Sequence, residues 1–154
     1  MIIDRKIDGA LPDARLSARA VSQLTATIGT PTYVNAALSF AQQEIGVSFI
    51  SVFCQGDRDT PLLVGTACTL GQRRADQAAQ GYNRHSATDR NSALLAGVSG
   101  LGYFLTLQHA DRINSFTYRR DCYEQPGIAA RLSLIRRTPS FGLAVSLYSS
   151  AEDG

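Results

Sequence analysis

The sequence predicts an α+β domain in which about five, mostly antiparallel strands form one sheet flanked by helices. Apolar residues recur at helical spacing over residues 14–45. After them, β-branched and aromatic runs bounded by Gly, Pro and Asp are interspersed with polar helical segments. Two alternating runs joined by a short turn end the chain and predict a hairpin. This mixed order of elements favours an antiparallel α+β sheet over a doubly wound parallel one.

Size and composition fit one domain. The chain has 154 residues, close to the usual length of about 150 per domain; we assign residues 14–150 to it and residues 1–13 to a flexible arm. With 44% hydrophobic and 18% charged residues, the composition is typical of a globular protein. No apolar run approaches the roughly 18 residues of a membrane span, so we expect no membrane association. The three cysteines lack metal-ligand spacing, which favours a cytoplasmic location without disulfides.

The N-terminal part predicts two consecutive helices. Apolar spacing predicts the first over residues 14–28, with Asp13 as its N-cap. The second begins at Pro31, where proline suits the first helical position, and Gly46 closes it.

In the middle of the chain, the helical spacing of apolar residues gives way to runs that are typical of strands. β-branched and aromatic residues predict a strand over 47–54, and a second strand over 61–70 is its expected hairpin partner. The polar stretch that follows predicts helices near residues 72–83 and 89–96, the latter with Thr88 as a possible cap.

The C-terminal part predicts three further strands. They cover residues 103–108, 130–137 and 141–148, and the last two form a hairpin. A short helix near residues 115–124, capped by Ser115, precedes that hairpin.

The sequence contains no recognisable catalytic or nucleotide-binding motif. His85 lies in a polar helix end and His109 ends a strand, so neither predicts a metal site, and we expect no cofactor. We therefore expect a protein that is not an enzyme. A small cysteine-dependent enzyme that uses Cys122 or a histidine remains an alternative, and it requires a thiol of lowered pKa beside a histidine.

Arginines are concentrated in the second half of the chain. The formal net charge is only +2, but residues 71–137 hold ten of the fifteen basic residues and five of the thirteen acidic ones. One interpretation is a compositional preference for arginine. The other is an anion-binding face, because guanidinium groups bind carboxylates and phosphates well. The arginine pairs send their two members to different faces and few aromatic residues accompany them, so we expect no direct binding of nucleic acid.

The predicted sheet carries small polar residues beside aromatic ones. Both faces of the strand over 47–54 are largely apolar, so both are expected to be covered. The interspersed polar residues are Ser51, Thr66, Thr106, Ser133 and Ser146. Such a set suits a small-molecule pocket, and it equally suits a core in which hydroxyls pair across strands.

Two stretches of the C-terminal half, with one earlier segment, resemble a known family. Residues 118–137 read Tyr-Arg-Arg-Asp-Cys-Tyr and continue through Pro-Gly into a strand that ends in Arg-Arg, and residues 143–148 end a strand in Leu-Tyr. Residues 82–90 place a helix before an Asp-containing turn. Together they resemble the N-terminal sensory half of bacterial LuxR-type helix-turn-helix regulators, over roughly residues 45–148.

The resemblance implies a GAF- or PAS-like α+β sensor that dimerises and passes a signal to a C-terminal DNA-binding module. Only six residues follow Tyr148, so we expect this chain to lack such a module, as an excised domain or a free-standing relative. DNA binding therefore does not carry over from the family.

We accordingly expect a regulatory sensory domain in transcription that binds a small-molecule signal or a protein partner and forms a homodimer through its two N-terminal helices. The pocket is expected between the sheet and the helices of residues 72–96. The residues predicted to contact the ligand are Phe49, Ser51, Phe53, Tyr82, Arg84, His85, Tyr103 and Leu105. The alternative is a ligand-free dimerisation or adaptor domain, in which the same sheet only builds a core. An internal cavity distinguishes the two.

Overall fold

A computed structural model describes residues 3–6, 17–56, 60–97 and 100–152, and its centre is one antiparallel sheet with helices packed on both faces. The strands are β1 (Ile3–Lys6), β2 (Phe49–Gln55), β3 (Leu62–Cys68), β4 (Gly102–His109), β5 (Ile128–Arg137) and β6 (Gly142–Ser150). The helices are α1 (Ala18–Thr25), α2 (Tyr33–Ile45), α3 (Gln72–His85), α4 (Arg90–Leu95) and α5 (Phe116–Arg119), which a π-helical turn over Arg120–Glu124 continues. The predicted α+β class and its antiparallel sheet are confirmed.

The strand order is β1-β4-β5-β6-β2-β3, and every neighbouring pair is antiparallel. The last strand, β6, therefore lies inside the sheet between β5 and β2. Its Ser146 is opposite Ser133 on one side and Ser51 on the other. The β2–β6 pairing therefore joins a strand from the first half of the chain to the last strand.

Strand β1 is a sixth strand, which the apolar pattern of the sequence does not predict. Ile3 is opposite Leu107 of β4, at the edge of the sheet. Because Asp4, Arg5 and Lys6 are charged, this segment has no apolar alternation by which a strand could be predicted. Charged residues are nevertheless common on edge strands, because they oppose aggregation. The remainder of the predicted flexible arm, and the predicted boundary at residue 14, lie outside the described residues.

Side chains alternate between the two faces of the sheet, and each face is covered by different helices. On one face, α2 packs Leu38 and Ala41 against Ile50 and Ala67. The opposite face, called the inner face here, carries Phe49, Phe53, Phe104, Ile135 and Ala144. Helices α3 and α4 and the α5–π turn segment cover the inner face.

Local signals place most helix ends where they were predicted. Gly46 ends α2 in the left-handed region with φ 68°, and the Ser115 side chain caps α5. Helix α1 begins after Ser17, whose Oγ accepts from the Ala20 N–H at 3.3 Å; the predicted cap Asp13 lies outside the described residues. None of the helices in the described part of the chain is long and apolar enough to cross a membrane.

The predicted cap of α4 was wrong by one residue. Asp89, not Thr88, caps the helix, because its Oδ1 accepts from the Asn91 N–H at 2.9 Å. The Thr88 hydroxyl instead donates to the carbonyl of His85 at 3.0 Å, closing the short 3₁₀ turn before α4.

Candidate functional site

Two small adjoining cavities lie on the inner face beneath α3, and we call them together the α3 cavity. Each has a volume of about 10 Å³, roughly the space of one water molecule. Both are lined by Ala78, Tyr82 and Tyr148. The remaining lining residues are Phe49, Ser51, Phe53, Thr66 and Ala79 on one side and Cys122, Tyr123 and Arg131 on the other.

Alternation along strand β2 and helical spacing along α3 bring these residues together. Phe49, Ser51 and Phe53 alternate along β2 and therefore share the inner face. Tyr82 lies one helical turn after Ala78 on α3, and its ring centroid is 4.5 Å from that of Phe53. The Ser51 and Tyr148 hydroxyls are 2.7 Å apart across β2 and β6. Four of the predicted contact residues thus line one cavity, in the place where the pocket was expected.

Tyr103 and Leu105 lie elsewhere. Phe104 and Thr106 are the residues of β4 that face inward, so alternation turns Tyr103 and Leu105 to the opposite face. Tyr103 is 44% exposed, and its ring centroid is 5.3 Å from the Arg136 guanidinium. The position of their strand in the sequence predicts these two residues in the site, but the pairing register of β4 decides which of its faces is inward.

Arg84 and His85 end α3, away from the lining of the α3 cavity. Arg84 is exposed, whereas the Nε2 atom of His85 is 2.9 Å from Asp121 Oδ2 in the π-helical turn. The Arg120 Nε–H donates to the other oxygen of Asp121 at 2.8 Å. These hydrogen bonds, first from Arg120 and then from His85, lower the pKa of Asp121 to about 2. His85 therefore joins α3 to the turn.

A buried ion pair lies beside the α3 cavity. The Nη2 atom of Arg131 is 2.7 Å from Asp89 Oδ2, and the two side chains are 4% and 1% exposed. The Tyr118 hydroxyl donates to the same carboxylate oxygen. The Arg131 Nη2 and the Tyr123 hydroxyl also donate to Gln108 Oε1, at 2.7 and 2.8 Å. One buried polar network thus joins the start of α4, strands β4 and β5, and the α5–π turn segment.

The protonation states of this network follow from burial and pairing. Burial opposes the charge of Arg131, but the neighbouring Asp89 holds its pKa above the ordinary value. Burial also raises the pKa of Tyr118 and Tyr123, which keeps both hydroxyls protonated as donors. The Arg131 Nε is buried and has no hydrogen-bond partner among the described residues.

Three of the five polar residues singled out from the sequence belong to one chain of hydrogen bonds. Thr106 donates to Asn91 Oδ1 at 2.9 Å, and the Asn91 amide donates to Ser133 at 2.7 Å. Ser133 is in turn 2.8 Å from Ser146. This chain of bonds fastens α4 to β4, β5 and β6, and it belongs to the core. Only Ser51 and Thr66 of that set line the α3 cavity.

The residues of the buried network were missed at the sequence level. One signal was present, because Arg131 alternates in phase with Ser133 and Ile135 on β5 and therefore has to share their buried face. Its partners Asp89 and Gln108 come from other elements, so no spacing within one element connects them.

The described thiols on the inner face are not activated. Burial raises the pKa of Cys122 to about 12 and also raises the pKa of Cys68. Both groups are therefore protonated thiols at neutral pH, the reverse of the lowered pKa that a nucleophilic cysteine has.

The same arrangement of sheet and helices occurs in a solved structure, the VqsR LBD domain from Pseudomonas aeruginosa. VqsR is a LuxR-type regulator, and the domain is its ligand-binding domain. The alignment covers 85% of this chain and 78% of that one, with a TM-score of 0.50 and 13% sequence identity. The two chains share a fold. No protein-family profile matches this chain, and no curated protein is similar to it in sequence.

Proposed function

We propose that this chain is a regulatory sensory domain that binds a small molecule between α3 and the inner face of the sheet. The observation that carries the proposal is the buried Arg131 Nε, which has no partner among the described residues and belongs to a side chain lining the α3 cavity. A buried unsatisfied donor costs about 1–3 kcal/mol. A ligand oxygen placed there would recover that free energy.

The rest of the cavity suits the remainder of such a ligand. Phe49, Phe53 and Tyr82 provide apolar surface, and the hydroxyls of Ser51 and Tyr148 provide directional contacts. Because each cavity holds only about 10 Å³, binding requires α3 to move away from the sheet. The ligand is therefore expected to enter by displacing the helix.

The fold supports the same class of function. Its neighbour is the ligand-binding domain of a LuxR-type regulator, which accords with the resemblance of residues 82–90 and 118–148 to the sensory half of that family. Within this proposal the domain is GAF- or PAS-like, non-enzymatic and cytoplasmic. It dimerises through α1 and α2, and it does not itself contact nucleic acid or membrane.

Native mass spectrometry of the full chain tests the proposal. We expect a small molecule that co-purifies and is lost on denaturation. Ala78→Leu, which fills the shared wall of the α3 cavity, should abolish that mass. Gln77→Leu places the same side chain at an exposed position of α3 and is the matched control, which should keep it. The same spectra report whether the protein is a dimer.

The second candidate is a ligand-free interaction domain, and the small volume of the α3 cavity favours it. A clean apo mass, together with no thermal shift across a metabolite panel, would establish this candidate and overturn the sensory proposal.

A further inference from the structure

A larger concavity of about 410 Å³ lies on the other side of the buried network from the α3 cavity. We call it the Arg112 cleft. Asp89, Gln108 and Tyr118 line the cleft, while Arg131, which bonds to Asp89 and Gln108, lines the α3 cavity. The network is therefore a shared wall between the two. The volume of the cleft is within the range of about 300–1,000 Å³ of small-molecule sites.

The lining of the cleft includes two guanidinium groups and one carboxylate. Arg90 and Arg112 both line it, and the carboxylate in its lining is that of Asp89. That carboxylate is already neutralised, since it accepts from the Asn91 N–H, the Tyr118 hydroxyl and the Arg131 guanidinium. Arg112 itself pairs with Asp111 at 3.5 Å, and both side chains are more than half exposed. Such an exposed pair contributes little and is readily exchanged for another anion.

Gln108, which also lines the cleft, carries a neutral donor. Gln108 uses its Oε1 to accept from Arg131 and Tyr123, which fixes the orientation of the amide group. Its Nε2 donates to none of the described residues. A guanidinium and an oriented amide N–H₂ in one concavity are groups that bind the oxygens of carboxylates and phosphates.

We propose that the Arg112 cleft is a binding site for a small molecule with a terminal oxyanion, a carboxylate or a phosphate. The oxyanion pairs with Arg112, and the neutral part of the molecule lies against Gln108 and Tyr118. This site is separate from the ligand of the α3 cavity, so the inference goes beyond the proposed function and does not depend on it. It also gives a role to Arg112, one of the ten basic residues of residues 71–137.

Calorimetric titration of the full chain with inorganic phosphate and, separately, with succinate tests the proposal, with sodium chloride holding the ionic strength constant. We expect saturable binding of at least one of the two anions. Arg112→Ala should weaken the binding at least about fivefold, because a guanidinium–oxyanion contact is lost. Arg112→Glu should abolish the binding, because a negative charge then faces the oxyanion. Arg73→Ala removes an exposed arginine of α3, outside the cleft, and is the matched control that should bind like the wild type.

The two anions separate the two chemical classes: binding of phosphate alone assigns a phosphorylated ligand, and binding of succinate alone assigns a carboxylic acid. Absence of saturable binding to both, or equal weakening by Arg73→Ala and Arg112→Ala, would overturn the proposal. Ala78→Leu fills the α3 cavity and not the cleft, so its anion affinity should be that of the wild type. The failure of one proposal is therefore distinguishable from the failure of the other.

Discussion

At the scale of single residues, the Asp89 carboxylate connects three elements. Its Oδ1 caps α4, and its Oδ2 accepts from Tyr118 of α5 and from Arg131 of β5. Burying an ion pair carries a large desolvation cost, so such a pair adds little stability as a whole. Removing one partner is different, because the remaining charge is then buried without compensation.

The network should therefore show strong coupling between Asp89 and Arg131. Asp89→Asn keeps a capping oxygen but removes the charge, and we expect it to lower the free energy of unfolding by about 3 kcal/mol, as Arg131→Met should. The double variant should lose clearly less than the sum of the two single losses. Urea denaturation measures all four proteins, and simple additivity would show that the pair is not coupled.

The ionisation of Asp121 makes the free energy of unfolding depend on pH in the acid range. Hydrogen bonds from Arg120 and His85 hold its pKa in the folded state at about 2, below the ordinary value of 3.8. A lowered folded pKa stabilises the protein above the unfolded pKa, and that contribution is lost as pH falls from about 4 to 2. Asp121→Asn should therefore show a shallower fall in the free energy of unfolding over this interval. Parallel curves for the two proteins would contradict this assignment.

At the scale of elements, the contact between α3 and the π-helical turn depends on a glycine. A Cβ atom built on Gly81 would overlap the backbone carbonyl oxygen of Asp121 and lie 2.9 Å from its carbonyl carbon. The absence of a side chain thus lets the two backbones approach closely, which also sets the His85–Asp121 hydrogen bond at 2.9 Å.

Gly81→Ala should destabilise the protein despite the better helix propensity of alanine. Overpacking costs about 1–3 kcal/mol and more where backbone atoms have to move, against a gain of about 1 kcal/mol from propensity. We expect a lower midpoint of thermal unfolding. Gly56→Ala is the matched control, because a Cβ there meets nothing within 4 Å. An unchanged midpoint for Gly81→Ala would show that the contact is loose.

At the scale of the whole molecule, the last strand completes the sheet. Strand β6 pairs with β5 on one side and with β2 on the other, so it connects the β2–β3 hairpin to the rest of the sheet. Ala144, Ser146 and Tyr148 also place inner-face side chains between those of the two halves.

A chain that ends at Arg137 should therefore lose cooperative unfolding, because the two parts of the sheet then share no backbone hydrogen bonds. A chain that ends at Glu152 keeps β6 and the Arg74–Glu152 ion pair of 2.8 Å, and it should unfold like the full chain. Near-ultraviolet circular dichroism during thermal unfolding distinguishes the two. A sharp transition in the shorter chain would show that β1, β4 and β5 fold without β6.

Local sequence determined the elements of this protein. Helix and strand periods, Gly46 and Ser115 were sufficient to place α2, α5 and the five apolar strands, because these signals act within a few residues. The edge strand β1 was not predicted, because its charged residues form no apolar pattern. Alternation places Phe49, Ser51 and Phe53 on one face of β2. Helical spacing places Tyr82 on the same side of α3 as Ala78, and the structure brings the two sets together.

Tertiary structure alone decided the rest. The sequence could not tell which face of β4 is inward, so Tyr103 and Leu105 were placed in a pocket that they do not line. It could not join Asp89, Gln108 and Arg131 either, since they lie on three different elements. A buried charge is stable only beside its partner, and the partner is chosen by strand register and helix docking, which depend on contacts between residues far apart in the chain.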